Sequence, residues 1–276
     1  MKDVEETDRP DAEGDEVEEV VEIVAEATPS GFVGEIASAL LKGPDAVARA
    51  AQRHVLEPAW RSVSEGESRW PVVVAVLGAV ALQVTLPDRL AVHPRWLLPA
   101  LQLLVLAGLV AVNPRRFGGT TTSSTVRATS ISLIAAMALA NAVSAFRLVR
   151  DLIHGGRIED PALLLRAGAA IWATNVIVFA LCYWEADRGG PGARARGEDD
   201  YPDFLFPQMQ APELTPPGWE PNFVDYAYTS FTNATAFSPT DVLPLSRWAK
   251  LAMMLQSGLS LSVVGLVVAR AVNILS

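Results

Sequence analysis

The sequence predicts an all-α integral membrane protein. It is expected to have about five transmembrane helices, a re-entrant pore-like helix ahead of the last one, and amphipathic helices near the N-terminus. Three observations predict this. Half of the 276 residues are hydrophobic, only 19% are charged and the mean hydropathy is +0.26, a balance foreign to most soluble domains. Five apolar runs lie between residues 70 and 273, each near the roughly 20 residues a helix needs to cross a bilayer. The acidity is segregated: residues 1–26 hold twelve carboxylates against Lys2 and Arg9, a net −10, so the body carries about +1 of the chain's −9.

Taken in order, residues 1–28 are low in complexity, acidic and without aromatics, and are expected to be a disordered tail, either solvated or held by a basic partner. Residues 29–69 predict amphipathic surface helices. Ser30 can cap a helix carrying Phe32, Val33, Ile36, Leu40 and Leu41. Gly43-Pro44 breaks it, and a second helix sets Val47, Ala51 and Val55 opposite Arg49 and Arg53. Neither is long or apolar enough to span. His54 reads as a partly buried polar residue rather than a ligand.

Residues 70–184 predict a four-helix transmembrane region with runs at 70–87, 96–113, 126–149 and 161–184. The nine-residue link between the first two makes them a hairpin. Trp70 and the Tyr183-Trp184 pair stand where interfacial aromatics prefer to sit. Residues 185–221 read as a polar Pro/Gly-rich linker, and 222–276 as the re-entrant helix and the final span, 247–273. No basic stretch followed by an apolar core opens the chain, so insertion is expected to rest on the spans themselves. Gln83, Gln102, Asn141, Asn175 and Gln256 are the amides at span depth. They are either functional groups or interhelical hydrogen bonds worth roughly 0.5–2 kcal/mol each.

The segment "DYAYTSFTNATAFSPTD", 225–241, is the unusual one. Asn222 can cap a helix there, with Asp225 three residues on in the capping-box position. A helix from Phe223 to about Ala234 reaches only about 18 Å, too short to cross, and Pro239 ends it. A buried half-length helix with an irregular return is a re-entrant element. Such backbone is tolerated at membrane depth only inside protein or beside water.

"SFTNATAFSPTDVLP", Ser230 to Pro244, resembles the pore helix, selectivity filter and outer mouth of the tetrameric potassium-channel superfamily, whose pattern is S-F-x-T-x-T-T-V-G-Y-G-D-x-x-P. Ser230, Phe231, Thr235, Asp241 and Pro244 match it. The stretch that follows resembles that family's inner helix, with a small-residue stripe of Gly258, Ser262, Gly265 and Ala269. The whole chain is also similar to bacterial integral membrane proteins of unknown function. The potassium-channel resemblance implies a homotetramer around a pore for inorganic ions. The filter departs from the pattern: Ala236, Phe237, Ser238, Pro239 and Thr240 stand in place of T-V-G-Y-G. Both glycines are lost and Pro239 is fixed near φ −65°, so the carbonyl ladder that replaces potassium's hydration shell is not expected. A ring of hydroxyls from Thr235, Ser238 and Thr240 and four copies of Asp241 would favour cations without sharp selectivity. Alternatively, Asp241 caps the turn into the last helix and the small stripe is a helix-packing face.

The functional expectation is a channel-like membrane protein, in one reading a homotetrameric ion channel not selective for potassium. The alternatives are a non-conducting scaffold or sensor recruiting partners through its N-terminal region, or a small-solute transporter. Fifteen Lys and Arg fall on the N-terminal side of the five-span topology and seven on the other, which puts the N-terminus in the cytoplasm of a multi-pass protein of the cell membrane. That topology places 185–246 inside, whereas a potassium-type pore loop enters from outside, and the two expectations conflict. No phosphate loop, H-E-x-x-H or cysteine cluster is present; Cys182 is alone, and His54, His93 and His154 fall in separate regions. "HGGR" at 154–157 reads as a turn. Arg147, Arg150, Arg157 and Arg166 with Asp151, Glu159 and Asp160 form a mixed-charge connection, pairing among themselves or holding an anion or lipid headgroup. No catalytic residue, metal or cofactor is expected, and no nucleic acid; the partners are the bilayer and further copies of the chain.

Overall fold

The computed structural model describes residues 43, 59–64, 66–68, 70–112, 116–117, 124–154, 160–199, 201–216, 218–235 and 241–275. The expected acidic tail, the amphipathic helices up to residue 58 with His54, residues 155–157 of the turn, and Ala236, Phe237, Ser238, Pro239 and Thr240 lie outside the described residues.

The helices in chain order are α1 (Trp70–Thr85), α2 (Leu97–Val112), α3 (Ser124–Ile153), α4 (Pro161–Ala186), α5 (Pro191–Ala195), α6 (Pro207–Gln210), α7 (Phe223–Thr235) and α8 (Arg247–Leu275). Short strands add β1 (Glu67–Ser68) paired with β2 (Arg116–Phe117), and β3 (Phe204–Leu205) paired antiparallel with β4 (Leu243–Pro244). The described chain is mostly helical. Three helices are long and apolar enough to cross a membrane: α3, α4 with its short extension, and α8. The other two apolar runs, α1 and α2, form 16-residue helices. At 1.5 Å per residue each is about 24 Å long, short of the roughly 30 Å hydrocarbon core.

Local chemistry sets the ends. Pro161 opens α4 and the Asp160 carboxylate accepts from the Ala162 amide at 2.9 Å, the arrangement expected of an N-cap followed by proline. At α7 the capping box closes: the Val224 amide donates to Asn222 Oδ1 at 2.9 Å, and the Asn222 amide to Asp225 Oδ2 at 2.8 Å. Ser246 caps α8, accepting from the Ala249 amide at 3.3 Å. Between α1 and α2, the Arg95 guanidinium donates to the Val84 and Leu86 carbonyls at 2.8 and 3.2 Å and pairs with Asp88. It therefore satisfies carbonyls that the end of α1 leaves open.

Packing is organised around α4, which touches α1, α3, α7 and α8. At one end the core is built from Met137, Val178, Leu181, Tyr183, Trp184 and Tyr226. At the other, Leu90, Leu148, Leu164, Ile171, Val263 and Val267 fill the space. Gly168 lets α8 come close, since a Cβ there would lie 2.9 Å from both Val267 methyls. The outward surface is apolar as well: Leu104, Leu139, Phe146, Leu251, Leu255 and Leu261 are all exposed. An apolar exterior of this extent marks contact with lipid or protein rather than water.

Candidate functional site

α7 is the element whose burial runs against its surroundings. Thr229 and Ser230 are buried together with Phe223, Tyr226 and Ala234, whereas Val224, Tyr228 and Phe231, spaced four and three residues apart on one face, are exposed. The inward side is fastened to α4 and α8 by a hydrogen-bond network centred on Gln256. Its Nε2 donates to the Ser230 carbonyl at 2.9 Å and to Ser230 Oγ at 2.6 Å. Its Oε1 accepts from the Tyr183 hydroxyl at 2.6 Å and from Asn233 Nδ2 at 2.7 Å. Ser230 Oγ donates onward to the Val176 carbonyl at 2.7 Å. Ser257 Oγ donates to Asn233 Oδ1 at 3.0 Å, and Asn175 Nδ2 to Ser260 Oγ at 2.9 Å. Both donors and both acceptor positions of the Gln256 amide are thus engaged, at a residue with no exposed surface. Asn175 and Gln256 make interhelical bonds, and Asn141 is buried beside a small cavity. Among the described residues the buried amide groups of Gln83 and Gln102 have no hydrogen-bond partner.

A second polar layer sits where α4 ends. Arg188 adopts φ +46°, and Gly189 and Gly190 follow at +74° and +94°. A side chain on Gly190 would press to 2.9 Å from the Glu185 carbonyl, so this reversal needs glycine. The turn buries Asp187, Arg188 and Arg194 almost completely, and buried charge of this kind must be paired and hydrogen-bonded. Asp187 accepts from the Tyr226 hydroxyl at 2.5 Å and from the Asp203 amide at 2.8 Å. Arg194 donates to Glu67 Oε1 at 2.8 Å and to the Trp184 and Asp187 carbonyls at 2.6 and 3.0 Å. Burial alone would lower the pKa of Arg194, but Tyr226, Glu67 and Asp187 together outweigh it and hold the guanidinium above its ordinary value. Arg188 donates to the Trp60 carbonyl at 2.5 Å. Asp203 accepts from Trp248 Nε1 at 2.7 Å, bringing the start of α8 into the same layer.

The residues singled out for a pore fall as follows. Thr235 is the last residue of α7, its hydroxyl returned to the Thr232 carbonyl at 2.7 Å. Asp241 is exposed in the bend before β4, and the α8 cap belongs to Ser246 rather than to it. Gly258, Ser262, Gly265 and Ala269 share one exposed face of α8, and no atom lies within 4 Å of a Cβ placed on either glycine. Of the mixed-charge connection, Arg147 donates to the Ala91 carbonyl and Asp160 caps α4.

Sequence reasoning missed the ionic layer. Its signal was present in "EADRGGPGARARG": a glycine pair where a helix must reverse, followed by arginines inside an otherwise apolar setting. Phe204, Phe206 and Trp219 in the supposed linker were a second sign, and all three pack edge-on against Tyr226 or one another. Among the described residues no group of three or more His, Cys, Asp or Glu is placed to hold a metal ion. No protein-family model, curated protein or solved structure matches the chain.

Proposed function

We propose that the protein is a channel-like integral membrane protein of the cell membrane, with five spans, N-terminus inside, and α7 as a re-entrant helix. In this reading α1 and α2 cross where the bilayer is thin or locally compressed, since 16-residue helices sit just below the usual span length. α7 enters from one face and stops part-way. Four chains assemble with the α7–α8 hairpins inward. The exposed Gly258–Ala269 face serves either as the helix-packing seam or as the pore wall, and Asp241 forms a carboxylate ring at one mouth that draws cations.

One observation carries this reading. α7, thirteen residues and about 20 Å long, is hydrogen-bonded through Ser230 and Asn233 to two helices able to cross a membrane and leaves Val224, Tyr228 and Phe231 uncovered on its other side. A surface helix of a water-soluble protein is arranged the other way round. The test is ion flux from liposomes containing the full chain. Cation flux above that of empty vesicles, with cation preference reduced in Asp241→Asn, supports the proposal. Flux equal to empty vesicles, or a monomeric particle in mild detergent, removes it.

A further inference from the structure

A groove of about 390 Å³ lies between α3 and α4, with Trp248 of α8 also lining it. That volume is typical of small-molecule sites. Its walls are apolar: Ile131, Ile134 and Ala138 on one side, Val178 and Phe179 on the other. Two charges lie together at one end, Arg127 near the start of α3 and Glu185 near the end of α4.

Glu185 is the unusual member. It is 6% exposed, yet among the described residues its carboxylate has no hydrogen bond and no ion pair. Its acidic neighbours are all engaged: Glu67 by Arg194 and Trp184, Asp187 by Tyr226 and the Asp203 amide. The charges acting on Glu185 are Arg194, Arg127 and Glu67. Arg194 is already committed to Glu67, and Arg127 is exposed with no ion pair among the described residues. A carboxylate on so buried a residue is costly without donors, so the groove favours a cationic donor, which none of the described residues supplies.

We propose that this groove seats one phospholipid with a zwitterionic, primary-amine headgroup. Its ammonium lies against Glu185, its phosphate against Arg127, and one acyl chain lies along the α3–α4 walls. The dimensions agree. From Arg127 to Ala138 the helix rises about 16 Å, close to half of the roughly 30 Å hydrocarbon core, so the groove follows one leaflet from headgroup level to mid-membrane. The charges agree in sign and order, because a zwitterionic lipid carries phosphate and amine a few atoms apart at its polar end. The primary amine is selected over a quaternary one by hydrogen bonding. An ammonium offers three N–H donors to the bare carboxylate, whereas a trimethylammonium offers none.

The test uses the full chain in a mild detergent with equimolar phosphatidylethanolamine, phosphatidylcholine and phosphatidylglycerol of identical acyl chains, read by native mass spectrometry. The expected result is one phosphatidylethanolamine retained per chain, preferred over the other two by roughly tenfold or more. Glu185→Gln is expected to abolish the preference. Ala138→Trp fills the wall but leaves both charges, and is expected to lower retention of all three lipids about tenfold. Cys182, the chain's single cysteine, lines the groove, so its alkylation by N-ethylmaleimide in the unmutated protein should slow when phosphatidylethanolamine is added and not when phosphatidylcholine is. Equal retention of the three lipids, selection of phosphatidylglycerol, an unchanged preference in Glu185→Gln, or a Cys182 rate indifferent to phosphatidylethanolamine would each overturn the proposal.

Discussion

The Tyr226 hydroxyl donates a 2.5 Å hydrogen bond to Asp187, tying the first half of α7 to the turn that ends α4. Both residues are fully buried, so water cannot replace either partner. The bond fixes where along α4 the half-length helix starts, and Gln256 fixes the same helix one and two turns further on. Position and tilt of α7 are therefore set by polar contacts at two levels, with aromatic packing between them from Phe204 and Phe206 on the Tyr226 ring.

Tyr226→Phe keeps that ring packing and removes only the donor. Asp187 then loses one of its three hydrogen-bond donors, keeping the Asp203 and Phe204 amides, a loss expected to cost about 1–3 kcal/mol. Thermal unfolding in detergent should show a clear drop for this variant. Tyr228→Phe, on the exposed side of the same helix, should leave the transition where it was. Equal effects from both would mean that the hydroxyl at 226 holds nothing.

Apolar run length and one capping box made most of the bundle readable. The run read as 161–184 is helical over Pro161–Ala186, and the run read as 247–273 over Arg247–Leu275, because apolar length is a local signal, while the Asp160 and Ser246 caps were not read and the cap considered for the last helix was Asp241. The Asn222–Asp225 box was equally local. What could not be read is non-local: Glu67 meets Arg194 across 127 positions and Arg188 meets Trp60 across 128. A buried arginine and a solvated one look alike in sequence, since only the fold supplies the carbonyls and carboxylates that make burial affordable. Glu185 was overlooked for the same reason. Its significance lies in which partners it lacks, and that depends on where α3, α5 and β1 come to rest.

Gln256→Leu tests the upper fastening. The substitution preserves bulk, takes the Gln256 acceptor from the Tyr183 hydroxyl, and removes one hydrogen bond each from the Asn233 amide, the Ser230 carbonyl and the Ser230 hydroxyl. Interhelical hydrogen bonds in membranes are worth about 0.5–2 kcal/mol each, so the combined loss should exceed that of Tyr226→Phe. It should also loosen α7: in a Cys182→Ser background, a cysteine at Ala234, buried in the parent, should become reactive in Gln256→Leu. If it stays unreactive, the other contacts of α7 hold it in place without Gln256.

The α4–α8 crossing is steric. Gly168→Ala places a methyl about 2.9 Å from both Val267 methyls, and overpacking of this kind typically costs about 1–3 kcal/mol. Val267→Ala in the same chain removes the obstructing methyls and should recover most of the lost stability. A double-mutant cycle measures that recovery directly; additive losses would show that the two helices do not meet at this pair.

Glu220 provides a pH test outside the spans. Burial pushes its carboxyl above the usual range, and a hydrogen bond from Ser64 only partly opposes the shift. The nearby charges that act on it are Glu67, which adds to the shift, and Arg188 and Arg194, which oppose it. A folded pKa above the unfolded one, near 4.3 for glutamate, means that the folded state binds the proton more tightly. This residue's contribution to stability is then complete below the unfolded pKa and is lost as pH rises through the folded value. Glu220→Gln, which cannot ionise, should raise the unfolding temperature at pH 8 and lose that advantage as the pH approaches 4. An advantage that persists unchanged at pH 4 would show that removal of the charge is not its source.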